Sequence, residues 1–301
     1  MSVLLIFIDG LGIGKREPTN PFLNLPEAAP LGVFEDEQPD LPCGGLLVRT
    51  DPRMGIEGRP QSASGQTTIL TGVNVPQTLG YHKQGFPNAA MREILREHSI
   101  FLQLEERGIG QNVFANAYTP QFFEAEPRWK SATTVAVEAA AMRFQTLADL
   151  KDENALFHDF TNRLILEREF GVEEYTPARA GKILANIAAK NEFTLYEHFI
   201  TDKIGHAQNL ELARFHLPRL AEFVLATLAN VDLTKTSVLL TSDHGNIEDL
   251  SVRQHTLNDV PTLVWGKDKR FFTGNIKTLA DITPVIVSAL NLNKDEQDKQ
   301  D

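Results

Sequence analysis

The 301-residue chain contains a single cysteine, Cys43, so an intramolecular disulfide is excluded. Positive charge is also scarce: the net charge is −11, and no basic stripe is available to track a nucleic-acid backbone, which makes nucleic acid a poor partner. No apolar run approaches membrane-spanning length, so no membrane association is expected. The apolar start Val3 to Ile8 is stopped by Asp9 and has no Lys or Arg before it, so it does not read as a secretory signal. Internal repeats and low-complexity tracts are absent, and Gly and Pro are not in excess. What remains is a cytoplasmic, globular, enzyme-sized protein whose 42% hydrophobic share suits one large core. Its oligomeric state is left open.

The run Ser2 to Ile8 is continuously apolar and bounded by Asp9-Gly10, the pattern of a strand buried on both faces. Similar runs recur at Asn112 to Ala117, Phe193 to Ile200, Thr236 to Thr241 and Thr262 to Trp265. Helical patterns lie between them at Ile100 to Arg107, Ala178 to Lys190, Leu210 to Asn230 with a kink near Pro218, and Leu279 to Leu290. Alternation of this kind predicts an α/β fold with a mostly parallel sheet flanked by helices. Glu17 to Pro60 reads as long loops with a short hairpin around Gly44 to Arg49. The polar stretch 120–175, with one helical run from Thr133 to Phe144, reads as a small inserted lid on a core formed by residues 1–119 and 176–301.

Ligands of parallel sheets collect beyond the carboxyl ends of the strands, where Asp9, Asp202 and Asp243 each follow an apolar run. The most diagnostic segment is Thr241-Ser242-Asp243-His244-Gly245-Asn246, followed by His255. Mixed carboxylate and imidazole ligands suit Zn²⁺ or Mn²⁺, and two such ions clamp the attacking and leaving oxygens of a phosphoryl group. Asp202-Lys203-Ile204-Gly205-His206 adds a carboxylate and an imidazole, with Gly205 expected to make a tight turn that aims both inward. Taken alone, Asp202 and His206 also fit a helix start with an exposed histidine, and Asp9-Gly10 fits an ordinary turn. Pro60 to Gly72 is hydroxyl-rich and leads into a helix, where a serine beside a metal is activated as a nucleophile; a plain capping serine is the other reading. Gly10-Leu11-Gly12-Ile13-Gly14 lacks the Gly-x-Gly-x-x-Gly spacing of a dinucleotide site.

Ile8-Asp9-Gly10, Ser62 with Gly65 and Gly72, Asp202-x-x-x-His206, Asp243-His244-Gly245-Asn246 and His255-Thr256 together resemble the alkaline phosphatase superfamily. Within it the chain looks most like the metal-binding core of cofactor-independent phosphoglycerate mutase, over roughly residues 1–15, 60–117 and 178–290. The resemblance implies two divalent ions, Mn²⁺ or Zn²⁺. Asp202, His206 and His255 would hold one, and Asp9, Asp243, His244 and the Ser62 oxygen the other. It also implies that Ser62, rather than its neighbour Ser64, is the nucleophile that becomes phosphoserine. The chain departs from the mutases in three ways. It has no transferase domain inserted after the nucleophile helix, Gln66 replaces a histidine, and no lysine stands near the strand at Asn112 to Ala117.

The expected activity is therefore hydrolysis of a phosphoric ester of a small phosphorylated or phosphonylated metabolite. Transfer through the same phosphoserine is the alternative, and a non-catalytic metal-binding regulatory protein is an alternative of another class. Candidate substrate contacts are Lys83, Arg128, Lys130, His158 and Asn162, with Lys203 as a further possible stand-in for the missing lysine.

Overall fold

The computed structural model describes residues 2–125 and 128–297. Among the described residues eight strands are formed: β1 (Ser2–Ile8), β2 (Leu46–Thr50), β3 (Asn112–Phe114), β4 (Ala117–Tyr118), β5 (Gln145–Thr146), β6 (Phe193–His198), β7 (Thr236–Thr241) and β8 (Val260–Trp265). Six of them make the central sheet in the order β2-β8-β7-β1-β6-β3, while β4 and β5 pair separately. Strands β7, β1, β6 and β3 run parallel, β8 runs antiparallel to β7, and the edge strand β2, antiparallel to β8, points the same way as the parallel set. The expected mostly parallel sheet flanked by helices is what the chain forms.

β1 lies in the middle of the sheet and sends alternate side chains to two cores. Leu4, Ile6 and Ile8 pack on the side of the helices Pro177–Ala189 and Leu210–Asn230. Val3, Leu5 and Phe7 pack opposite, with Ile69 and Leu70 of the helix Ser62–Thr71 and with Ile282 and Ile286 of the helix Ile282–Gln297. Each such fully buried aliphatic side chain contributes about 1.5–3 kcal/mol of transfer free energy, in keeping with the unbroken apolar run from Val3 to Ile8 before Asp9. The Leu210–Asn230 helix runs unbroken through Pro218, where a kink was expected.

Three expectations are corrected. Leu46–Thr50 does not form a local hairpin; it pairs with β8, from the far end of the chain. Asp202 and His206 do not flank a turn, because both lie on one helix, Ile200–Ala207. Gly205 between them is there for space: a Cβ would come within 2.5 Å of the Asn246 side chain.

The stretch expected as a lid, 120–175, of which residues 126 and 127 lie outside the described residues, contributes side chains to both apolar cores. Val135, Ala136 and Val137 of the helix Ala132–Ala139 join one apolar cluster, and Leu150, Leu156, Phe160 and Ile165 join the other. Polar residues alternate with these apolar ones, which hides the burial from composition. Among the described residues, no helix is long and apolar enough to cross a membrane.

Candidate metal centre

The parallel strands β6, β1 and β7 end side by side. Asp9 follows β1, the Ile200–Ala207 helix follows β6, and Asp243 and His244 follow β7. Because β8 turns back antiparallel to β7, the connection 242–259 stays on this same edge and carries His255 with it.

All seven residues proposed as ligands meet there. One group is Asp202, His206 and His255. His206 Nε2 is 3.3 Å from Asp202 Oδ2, His255 Nε2 is 3.5 Å from Asp202 Oδ1, and the two Nε2 atoms are 3.1 Å apart. The other group centres on His244, whose Nε2 lies 3.3 Å from Asp9 Oδ1, 3.5 Å from Asp243 Oδ2 and 2.9 Å from Ser62 Oγ. The His244 ring stacks on His255 with centroids 3.6 Å apart, so the two groups are contiguous, and His244 also lies within reach of the Asp202–His255 pair.

A test of whether cations fit rests on proton positions. His255 Nδ1 donates to the Pro60 carbonyl at 2.9 Å, and His206 Nδ1 donates to the Arg253 carbonyl at 2.7 Å. A carbonyl only accepts, so both protons are fixed on Nδ1, and the facing Nε2 atoms present lone pairs to one another. Two lone pairs at 3.1 Å repel unless a cation lies against both. Likewise Asp9 Oδ1 is buried with no hydrogen-bond partner. Burial first, then the neighbouring carboxylates Asp243, Asp202 and Glu197, push the Asp9 acid well above its ordinary range. Burial first, then Asp202, does the same to Asp243. Burial lowers His244 and His255, which keeps them neutral, the form that binds a metal. Acids that cannot all ionise together, beside imidazoles already neutral, are suited to divalent cations.

Ser62 opens the Ser62–Thr71 helix one residue inside the N-cap, which is Gln61; its hydroxyl faces His244 and makes no capping bond. Ser64 is buried and tied down: its hydroxyl donates to the Gln61 carbonyl at 3.1 Å and accepts from the Lys83 amide at 3.1 Å. The helix lies so close to the β7 connection that a Cβ on Gly65 would sit 2.9 Å from the Asp243 Cβ.

The candidate substrate residues divide. Lys130, His158 and Lys203 line a cleft of ≈ 660 Å³ that also exposes Asp9, Ser62, Gln66 and Asp202. His158 stacks on Phe199, and burial holds its imidazole down at about 3. Lys83, Arg128 and Asn162 are not part of the lining. Lys83 Nζ donates to the Gln84 carbonyl, Arg128 lies over the Trp129 ring, and buried Asn162 donates to the Glu173 carbonyl.

Other residues at this edge are not among the expected site residues, although Gln66 stands out as replacing a histidine. Gln66 Nε2 donates to Asp9 Oδ2 and Asp243 Oδ2, both at 3.1 Å, and so ties two candidate ligands together. Buried Glu248 accepts from the Gly12 and Asn246 amides on one oxygen and from Thr256 and Asn258 side chains on the other, fixing the loop after β1 to the loop after β7. Arg59 donates to the His255 carbonyl at 2.8 Å. Glu197, the fifth residue of β6, lines the cleft, and burial pushes its acid up to about 7. Its place near a strand's carboxyl end is the same signal that marked Asp9.

A family model described as the Metalloenzyme superfamily matches residues 144–294, half of the chain. Similar sequences include the 2,3-bisphosphoglycerate-independent phosphoglycerate mutase of Ehrlichia canis, 27% identical over 130 residues, which are 39% of this chain and 26% of that protein. That of Ehrlichia ruminantium is 30% identical over 103 residues, 32% of this chain and 20% of its own. The chain thus spans only about a quarter of the length of these relatives. Among solved structures, the PH0037 protein from Pyrococcus horikoshii has a TM-score of 0.56 at 13% identity, with 96% of this chain and 97% of that one covered. A cold-active alkaline phosphatase from a psychrophilic Shewanella has a TM-score of 0.54 at 10% identity, covering 96% and 100%. Both likenesses concern the fold alone.

Proposed function

The chain belongs to the Metalloenzyme superfamily, and from that premise we propose that it is a two-metal phosphoric ester hydrolase that acts through Ser62 on a small phosphorylated or phosphonylated metabolite. The observation that carries this reading is the placement of Ser62 Oγ 2.9 Å from His244 Nε2, at the edge of two contiguous groups of imidazoles and crowded carboxylates. Asp202, His206 and His255 would hold one divalent ion, Mn²⁺ or Zn²⁺, and Asp9, Asp243, His244 and Ser62 the other. Such ions supply charge that offsets the negative charge of the phosphoryl oxygens.

The chain's own part is positioning. Gln66 holds Asp9 and Asp243 together, and the Pro60 and Arg253 carbonyls orient His255 and His206. The Ser62 hydroxyl displaces the alcohol at phosphorus; the P–O bond to the alcohol breaks, and the serine's proton ends on the released alcohol. Water then displaces Ser62, which regains a proton as phosphate leaves. The mutase names of the sequence relatives favour a second reading, in which a hydroxyl of the acceptor replaces water in that second displacement.

Ser62→Ala tests both readings together. The metal-loaded variant should retain metal content close to that of the unaltered protein while losing ester turnover and the phosphoserine found by mass spectrometry after acid quench. Full turnover in the variant would refute the nucleophile assignment. Turnover by the unaltered protein that needs an added alcohol would identify transfer rather than hydrolysis.

A further inference from the structure

Away from the candidate metal ligands, the cleft is walled by rings, and several of its polar groups are already committed to other partners. Tyr118 and Phe122 stand with centroids 4.4 Å apart, and Tyr118 also meets Phe144 at 4.8 Å. Phe199 lines the cleft with His158 stacked on it at 4.0 Å and the Lys203 ammonium 4.6 Å from its centroid. Two more lining rings, Phe86 and Trp129, come from separate segments and remain 49% and 54% exposed. Large rings left this open at the rim of a reactive site are a binding surface more often than a packing accident.

The polar lining argues in the same direction. The Asn116 amide is used up on the Glu197 backbone, donating at 2.7 Å and accepting at 2.9 Å. Lys130 pairs with Glu138 at 2.6 Å. The Thr134 hydroxyl is shared between Tyr118 and Ser131, each at 2.9 Å. A sugar or glycerate would bring several hydroxyls and find few partners for them, and each unpaired hydroxyl would weaken binding. A flat ring would need none of those partners and could add an edge or a face to rings already spaced for such contacts.

We propose that the alcohol half of the substrate carries an aromatic or heteroaromatic ring, seated among Tyr118, Phe122, Phe199 and Trp129 while the phosphoryl group lies at Ser62. This inference rests on the phosphoric ester reading for the reacting end and deepens it by naming the chemical class of the other end. Glu197 and Lys203, beside the same rings, are placed to meet polar atoms on a heterocycle's edge.

The test compares benzyl phosphate with cyclohexylmethyl phosphate on the Mn²⁺-loaded protein. The two esters are similar in size and in the acidity of the released alcohol, so the comparison isolates the flat ring. Benzyl phosphate should have a kcat/KM higher by roughly three- to tenfold, the span of one or two ring–ring contacts. Phe122→Leu and Trp129→Ala should each bring the ratio toward one. Equal kcat/KM for the two esters, or a preference for octyl phosphate over both, would overturn the proposal, the latter in favour of an alkyl-chain ligand.

If none of the esters is turned over, the hydrolase reading fails by itself, and the ring preference is then read from binding. Benzylphosphonate should perturb the emission of Trp129, since the other tryptophan, Trp265, is buried, and should bind more tightly than cyclohexylmethylphosphonate. Equal binding of the two phosphonates, or no binding of either, would overturn the inference as well.

Discussion

Replacing Glu248 with Ala and with Gln should separate two explanations for the rigidity of the metal-bearing edge. Four donors converge on this carboxylate. The Gly12 and Asn246 amides reach Oε2 at 3.0 and 2.7 Å, and the Thr256 hydroxyl and Asn258 amide reach Oε1 at 2.5 and 3.0 Å. In Glu248→Ala all four lose their acceptor in a site that is 1% exposed. A stranded buried donor costs about 1–3 kcal/mol, and water entering the space left behind relieves part of that, so the net loss should be roughly 4 kcal/mol. In Glu248→Gln the amide oxygen can take the two backbone donors, which cannot change role. The new NH₂ then faces a hydroxyl that can rotate to accept and an Asn258 amide that can flip to do so. Burial also pushes the Glu248 acid up, so the charge itself is not what the site favours. The Gln variant should therefore lose only about 1 kcal/mol. Urea unfolding of the metal-loaded proteins, read as a midpoint shift at constant m, measures both losses. A Gln variant as unstable as the Ala variant would refute the reasoning and make the negative charge the operative property. An Ala variant as stable as the Gln variant would show that the four bonds hold nothing.

The cleft acid Glu197, raised from an ordinary value of 4.5 to about 7, stabilises the fold in its protonated form. That contribution is complete below about pH 4.5 and is lost as pH rises through 7, so the melting-point advantage of Glu197→Gln over the unaltered protein should grow between pH 5 and pH 8. The swing corresponds to about 3 kcal/mol at most, and a pH-independent difference would contradict the assignment. Chelation should lower the melting point, and by more at pH 8 than at pH 5. Asp9 and Asp243 are both raised acids that can hold protons at low pH in place of cations, and differential scanning fluorimetry with EDTA checks this. Asp243→Asn should reduce metal content and turnover together; unchanged metal content by plasma emission spectrometry would contradict its role as a ligand.

Strands β1 and β7 are legible to the residue, because a strand buried on both faces is an unbroken apolar run with a polar stop. The candidate ligands Asp9 and Asp243 follow from the same logic, each standing just past such a run. Less local features are not legible. β2 finds its partner more than two hundred residues away, and no nearby turn encodes that pairing. Asp202 and His206 have helical spacing, but the neighbouring glycine suggested a turn, whereas it serves to admit Asn246. The 120–175 stretch looks like a solvated lid because its buried residues, such as Leu156 and Phe160, are scattered among charged ones. The ring-lined cleft gathers Phe86, Tyr118, Trp129 and Phe199 from four separate segments, so it exists only once the chain has folded.

The central place of β1 bears on how the protein is made. This strand precedes both of its sheet neighbours in the chain, since β6 begins at residue 193 and β7 at residue 236. Until those neighbours are made, an apolar segment with both backbone edges unpaired must therefore be kept from associating with other chains, a task that suits a chaperone. The neighbouring strands cannot close around it until β7, Thr236–Thr241, has emerged, so cation capture by the complete set of candidate ligands must follow the synthesis of β7. A ribosome stalled before His255 would carry Asp9 and Ser62 with no complete site to receive the metal.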